Sequence, residues 1–276
     1  MSAVSVLESV PDDQKDWHPG SNQQVLDLVH PSLYCLRIGH SYSRRSKDAP
    51  GADSVHVLSW EDYKSRRPDF EALEEKYCIS KHYQWLPTDF SVSESGVVEP
   101  LGYINNIHPV QHRPLYDVVS SILSRFVPLF NRVLSDSLSP EPPLALVLDP
   151  CTWYDHLRRP DTTQEWDKWE REEKWPIIPD PAPFSPPSND GRIDFKLNGR
   201  TMQVIVKLAN IVLTPENPRY EGGSWHVEGM GNERIVATGL YYYASENISE
   251  SRLRFRATVG DAADGSVSVS YQQSDY

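Results

Sequence analysis

The sequence predicts an α+β protein, with a mainly helical amino-terminal half followed by antiparallel strands that form a sandwich or barrel core. An apolar stripe of period 3.6 runs from Pro114 to Leu134, the mark of a long amphipathic helix. Six prolines between Pro176 and Pro187 then make an extended connector. Beyond it come short segments rich in Val, Ile, Tyr and Phe, separated by turn signals.

Residues 1–24 are polar, rich in Ser, Asp and Gln, and read as a loose arm. An amino-terminal region follows over 25–100, and the core domain occupies 101–276. Pro68-Asp69-Phe70 opens a helical pattern carried by Phe70, Leu73, Tyr77 and Cys78. In the long helix, Pro128 should kink or interrupt the stripe, because it lacks an N–H and its ring meets the preceding turn. Leu144 to Leu148 read as a short buried strand. Four of the eight tryptophans lie in 153–175, and the spacing of Trp166 and Trp169 puts them on one helical face that packs. Arg192 to Leu197 alternate as a strand, Asn198-Gly199 signal a hairpin turn, and Met202 to Leu213 form the returning strand. Arg234 to Tyr243, Arg252 to Val259 and Ser266 to Tyr271 complete the strand set.

Composition narrows the function. A formal net charge of −12 argues against a nucleic acid as the main partner, since phosphate binding needs a local surplus of Lys and Arg. No run of eighteen apolar residues suggests a membrane span. Met1-Ser2-Ala3-Val4-Ser5 has no basic region followed by an apolar stretch, so an intracellular setting, cytoplasmic or nuclear, is expected. Cys35, Cys78 and Cys151 are too few and too widely spaced for a disulfide framework and read as reduced thiols. Cys151 has Asp149 and His156 nearby in sequence, but proximity in sequence does not make a catalytic group, and a buried structural thiol is the better reading.

The strongest chemical signal is Glu221-Gly222-Gly223-Ser224-Trp225-His226-Val227-Glu228-Gly229-Met230. In an extended segment, residues two apart point to the same side, so His226 and Glu228 direct an imidazole nitrogen and a carboxylate oxygen at one point. Imidazole plus carboxylate, with open coordination positions, suits a non-haem iron(II) centre. His108 and His112 are four apart, but Pro109 breaks a helix between them and His108 reads as a loop or cap residue. There is no Gly-x-Ser-x-Gly elbow to support serine hydrolysis.

Tyr103-Ile104-Asn105-Asn106-Ile107-His108-Pro109, Val204 to Ile211, Gly222 to Met230 and Tyr241-Tyr242-Tyr243 resemble a largely fungal family, domain of unknown function 4246. The resemblance begins near Asp27-Leu28-Val29. The carboxy-terminal part of that family is similar to the double-stranded β-helix, a jelly-roll-like core, of iron(II)/2-oxoglutarate oxygenases. The resemblance implies that His226 and Glu228 are the first two iron ligands. Lys207 and Asn210, on the preceding strand, become candidate contacts for 2-oxoglutarate or for a substrate, a small molecule or a protein. Lys207 is equally readable as a solvated strand residue. The oxygenase pattern also needs a second histidine on a late strand, and no histidine follows His226. The expected core is therefore an incomplete double-stranded β-helix under a helical amino-terminal region, with the metal site only partly present. The alternative is a non-catalytic β-sandwich that binds or interacts through the same cleft.

Overall fold

The computed structural model describes residues 10–44, 54–67, 79–139, 161–172 and 191–255. The chain divides into two compact units, one made of 1–135 with 194–244 and the other of 136–193 with 245–276. The architecture mixes helices with small antiparallel sheets.

In the first unit, strand β6 (Thr88–Val92) is central to a three-stranded sheet, flanked by β7 (Val98–Pro100) and β8 (Thr201–Val204). Phe90 lies opposite Pro100 on one side and Met202 on the other. Thr88, Phe90 and Val92 alternate inward, and Phe90 is fully buried. Helix α2 (Arg113–Leu138) covers this sheet with Leu115, Tyr116, Leu123 and Val127. Tyr116 staples the preceding loop: its hydroxyl donates to the Ile107 carbonyl at 2.9 Å and accepts from the Ile104 amide at 3.1 Å. That bonding lets Ile104 and Ile107 enter the core without orphaning their backbone groups. His108 Nδ1 accepts from the amides of Val110 and Gln111, so this histidine serves as a loop cap.

Strand β1 (Val25–Val29) pairs antiparallel with β9 (Leu208–Ile211). On its other side, Trp17 bridges Leu26. Strands β2 (Leu36–Arg37) and β5 (Tyr83–Gln84) pair, as do β3 (Tyr42–Arg44) and β4 (Val55–Val57). The short helix α1 (Trp60–Ser65) starts at Ser59, whose hydroxyl accepts from the Asp62 amide.

Several expectations from the sequence meet a different outcome. The amino-terminal half is not mainly helical, since β1 to β7 all lie within it, and Met202 to Leu213 is not one strand but divides into β8 and β9, which join different sheets. Helix α2 runs through Pro128 without a break. The proline removes one bond at a cost of about 3 kcal/mol, but Val127 before it and Phe130 and Leu134 after it all pack on the same core, which holds the helix in register. The Asn198-Gly199 turn forms, with Gly199 at φ +72° and the Arg200 amide bonded to the Leu197 carbonyl. Its first arm, however, lies along α2 rather than against a strand. The Phe195 amide donates to Ser135 Oγ and the Leu197 amide to Asn131 Oδ1, both at 2.9 Å. Two extended residues advance about 6.6 Å and four helical residues about 6.0 Å, so alternate amides match acceptors one turn apart. Finally, 234–243 carries no strand. It crosses α2 instead, where Gly239 approaches so closely that a Cβ would lie 3.1 Å from the rings of Phe126 and Phe130. A β-pattern becomes a strand only when another backbone edge is available, and here Val236, Leu240, Tyr241 and Tyr242 stay exposed. Residues 252–255 likewise carry no strand.

In the second unit, helix α3 (Thr163–Glu172) places Trp166 and Trp169 edge to face with centroids 5.5 Å apart, and Trp169 is buried. The Ile193 amide donates to Ser139 Oγ, the same amide-to-side-chain pattern seen at Phe195 and Leu197. The expected helix at 70–78, the strands at 144–148 and 266–271, and the proline-rich connector lie outside the described residues.

Candidate metal centre

The segment from Glu221 to Glu233 is set by glycines and by a buried anchor. Gly222 (φ +97°) and Gly229 (φ +74°) adopt the left-handed conformation on either side of an extended stretch. Within it, His226 Nε2 and Glu228 Oε1 stand 3.4 Å apart. His226 Nδ1 lies 2.7 Å from the Ser224 carbonyl. A carbonyl only accepts, so Nδ1 carries a proton; in the imidazolium Nε2–H also donates toward Glu228, and in the neutral ring Nε2 is left with its lone pair for a cation. The His226 pKa is raised, first by the hydrogen bond to Ser224 and then by Glu228, with burial opposing. The pair is open to solvent, with side-chain exposures of 61% and 41%.

Downstream, the chain is pinned by Asn232, which is 1% exposed. Its Nδ2 donates to the Tyr63 hydroxyl and to the Ser80 carbonyl, and its Oδ1 accepts from the Ser80 amide. Arg67 donates to the Asn232 carbonyl at 2.7 Å and to Gln84 Oε1 at 2.9 Å. Glu233 adds two bonds, accepting the amides of Trp85 and Met230. The exposed pair is thus attached to a fixed point a few residues away.

Lys207, expected on a strand, lies in the segment between β8 and β9, and its charge opposes the rise of the His226 pKa and adds to the lowering of that of His30. Asn210, on β9, accepts a hydrogen bond from the Tyr243 hydroxyl. The structure therefore puts Lys207 within electrostatic reach of His226, while the Asn210 carboxamide oxygen is engaged by Tyr243.

A second constellation was not legible in the sequence. Ligand atoms of His18, Asp27 and His30 all lie within 4.8 Å of one another, and among the described residues this is the one group of three such side chains that converges. His18 Nδ1 is 2.7 Å and His30 Nε2 3.9 Å from Asp27 Oδ2. His30 has its pKa lowered, chiefly by burial, with the Asp27 charge opposing. Two pairings bring these residues together, and neither is local. The Trp17–Leu26 bridge puts residues 16 and 18 on the face of Asp27. The β1–β9 register slips between Asp27 and Val29, and that extra residue swings His30 to the face it would otherwise leave. The turn signal at Pro19-Gly20-Ser21 between the two arms is the only local hint.

The family model described as protein of unknown function (DUF4246) matches residues 1–276. The chain belongs to that family. No curated protein and no solved structure matches it. Membership in DUF4246 assigns no activity, so chemistry has to be argued from side chains. Among the described residues of this DUF4246 member, no helix is long and apolar enough to cross a membrane.

Proposed function

We propose that this chain is an iron(II)/2-oxoglutarate-dependent oxygenase-type protein. In this reading His226 and Glu228 hold the metal. The spacing of the two ligand atoms carries the reading. Bonds of about 2.1 Å spread by 90–110° place two ligand atoms about 3.0–3.4 Å apart, and His226 Nε2 and Glu228 Oε1 stand at 3.4 Å. The donor set, one imidazole and one carboxylate, is what an iron(II) site with open positions uses. Bound iron with 2-oxoglutarate and oxygen would supply oxidation of a C–H bond coupled to loss of carbon dioxide from the co-substrate.

The chain's own residues have separate tasks. The Ser224 carbonyl holds Nδ1–H and so aims Nε2. Glu228 contributes a negative charge that favours a divalent cation. Lys207 supplies a positive charge near the site, suited to a co-substrate carboxylate, with Asn210 beside it on β9. The raised His226 pKa means that cation and proton compete for Nε2, so affinity increases with pH. Among the described residues no third His, Cys, Asp or Glu converges on the pair, so water and co-substrate oxygens complete the shell and binding is weak.

The exposure of both side chains favours a second reading, a non-catalytic β-sandwich that binds or interacts through this surface. Metal and co-substrate separate the two. Manganese(II) titration should show a weak site that tightens when 2-oxoglutarate is added, and iron(II) with 2-oxoglutarate should yield succinate. His226→Ala should abolish the tightening by 2-oxoglutarate and the succinate. Unchanged tightening and succinate yield in His226→Ala would reject the oxygenase-type reading.

A further inference from the structure

We infer that His18, Asp27 and His30 form a separate site for a first-row divalent cation of the zinc and iron(II) class. Three observations converge on this site. The donor set is two imidazoles and one carboxylate, the combination such cations take when some positions stay open to water or another ligand. The ligand atoms already lie within 4.8 Å of one another without any rearrangement of the backbone. The Asp27 side chain is 3% exposed, and its Oδ1 is buried with no hydrogen-bond partner.

The third observation decides between this site and a plain ion pair. In an ion pair, His18 would satisfy Oδ2 alone at 2.7 Å. Oδ1 would remain buried and unpaired, a costly state for a carboxylate. His30 Nε2, at 3.9 Å from Oδ2, is too far for a hydrogen bond to it. A single cation among the three side chains satisfies the Asp27 carboxylate and both imidazoles together.

The architecture supports the same conclusion. A bulge in β1 is needed to bring His30 to the face of Asp27, and bulges recur where a strand must re-aim a side chain at a site. Asp16 lies opposite Asp27 across the strand pair, since the Asp27 amide donates to the Asp16 carbonyl at 2.8 Å. That second carboxylate favours a cation, while the Lys207 charge opposes it. His18 is 39% exposed on its side chain, so the site opens to solvent on that side.

The test uses the full chain carrying His226→Ala and Glu228→Gln, so that the pair assigned above cannot contribute. Cobalt(II) titration followed by visible absorption should show one bound ion with a ligand-field band. Adding His18→Ala or His30→Ala to that background should weaken binding by more than about tenfold, since loss of even an outer-shell partner typically weakens a metal site tenfold or more. Asp27→Asn keeps the shape and removes the charge, and should weaken binding as strongly. Circular dichroism checks folding, and His18→Ala, at an exposed side chain, decides the matter if a buried variant fails to fold. Absence of a cobalt band in the background variant overturns the inference. So does unchanged affinity on adding His18→Ala.

Discussion

The two histidine–carboxylate constellations in the first unit are built in opposite ways. His226 and Glu228 are two residues apart, exposed, and aimed by their own backbone, with Ser224 and two glycines doing the shaping. His18, Asp27 and His30 are gathered from two strand arms around a buried carboxylate, and only strand pairing and a bulge bring them together. The difference teaches that a local motif can be read with little knowledge of the fold, whereas a buried site depends on register. It also separates energetic roles. In the exposed segment, chemistry and stability lie on different residues, while around Asp27 they lie on the same ones.

The largest expected effect tests that separation. Asn232→Ala should cost about 2–3 kcal/mol, because it leaves the Tyr63 hydroxyl and both Ser80 backbone groups short of a buried partner. Urea unfolding measures it directly, and a loss below the error of the method would show that the segment is not anchored there. By contrast, His226→Ala should change stability by less than about 0.5 kcal/mol, as expected for an exposed side chain away from such features. A large loss at His226 would erase the contrast between site and anchor.

A smaller effect lies in pH. From the same ordinary value of 6.5, the metal-free protein should show the His226 midpoint above and the His30 midpoint below in a proton NMR titration. The signs follow from which state binds protons more tightly. The contribution of His226 to stability is present below pH 6.5 and fades as pH rises through its raised folded midpoint. For His30 the folded state resists protonation, so stability falls as pH drops below 6.5. The groups acting on His30 are Asp27, Asp16, His18 and Lys207, and on His226 they are the Ser224 carbonyl, Glu228 and Lys207. Glu228→Gln should bring the His226 midpoint down toward 6.5 and leave that of His30 in place. Coincident midpoints, or a matching shift at His30, would argue that the two regions share one environment.

The long helix was legible, because the stripe from Leu115 to Leu134 announces α2 by periodicity alone, but the expected mainly helical amino-terminal half was not: β1 to β7 all lie within residues 25–100. The run through Pro128 was not, since propensity describes the proline and says nothing of the packing on both sides of it. The Asn198-Gly199 turn was readable from two residues, but not what its first arm would lie against. Arg234 to Tyr243 carries a strand pattern and yet forms no strand and leaves most of its apolar side chains exposed, because pattern records which residues seek burial and not whether a neighbouring edge supplies it. The same limit explains the site. His226 and Glu228 are visible as a motif of adjacent alternation, whereas Asp27 and His30, three apart in a strand, should face apart until the bulge is known.

The most direct measurement is an anomalous difference map from a crystal of this chain soaked in manganese(II) and 2-oxoglutarate. The account predicts a peak about 2.0–2.2 Å from both His226 Nε2 and Glu228 Oε1, with His226 Nδ1 still held by the Ser224 carbonyl. No peak at that position under saturating manganese would contradict it, whether or not a peak is found elsewhere.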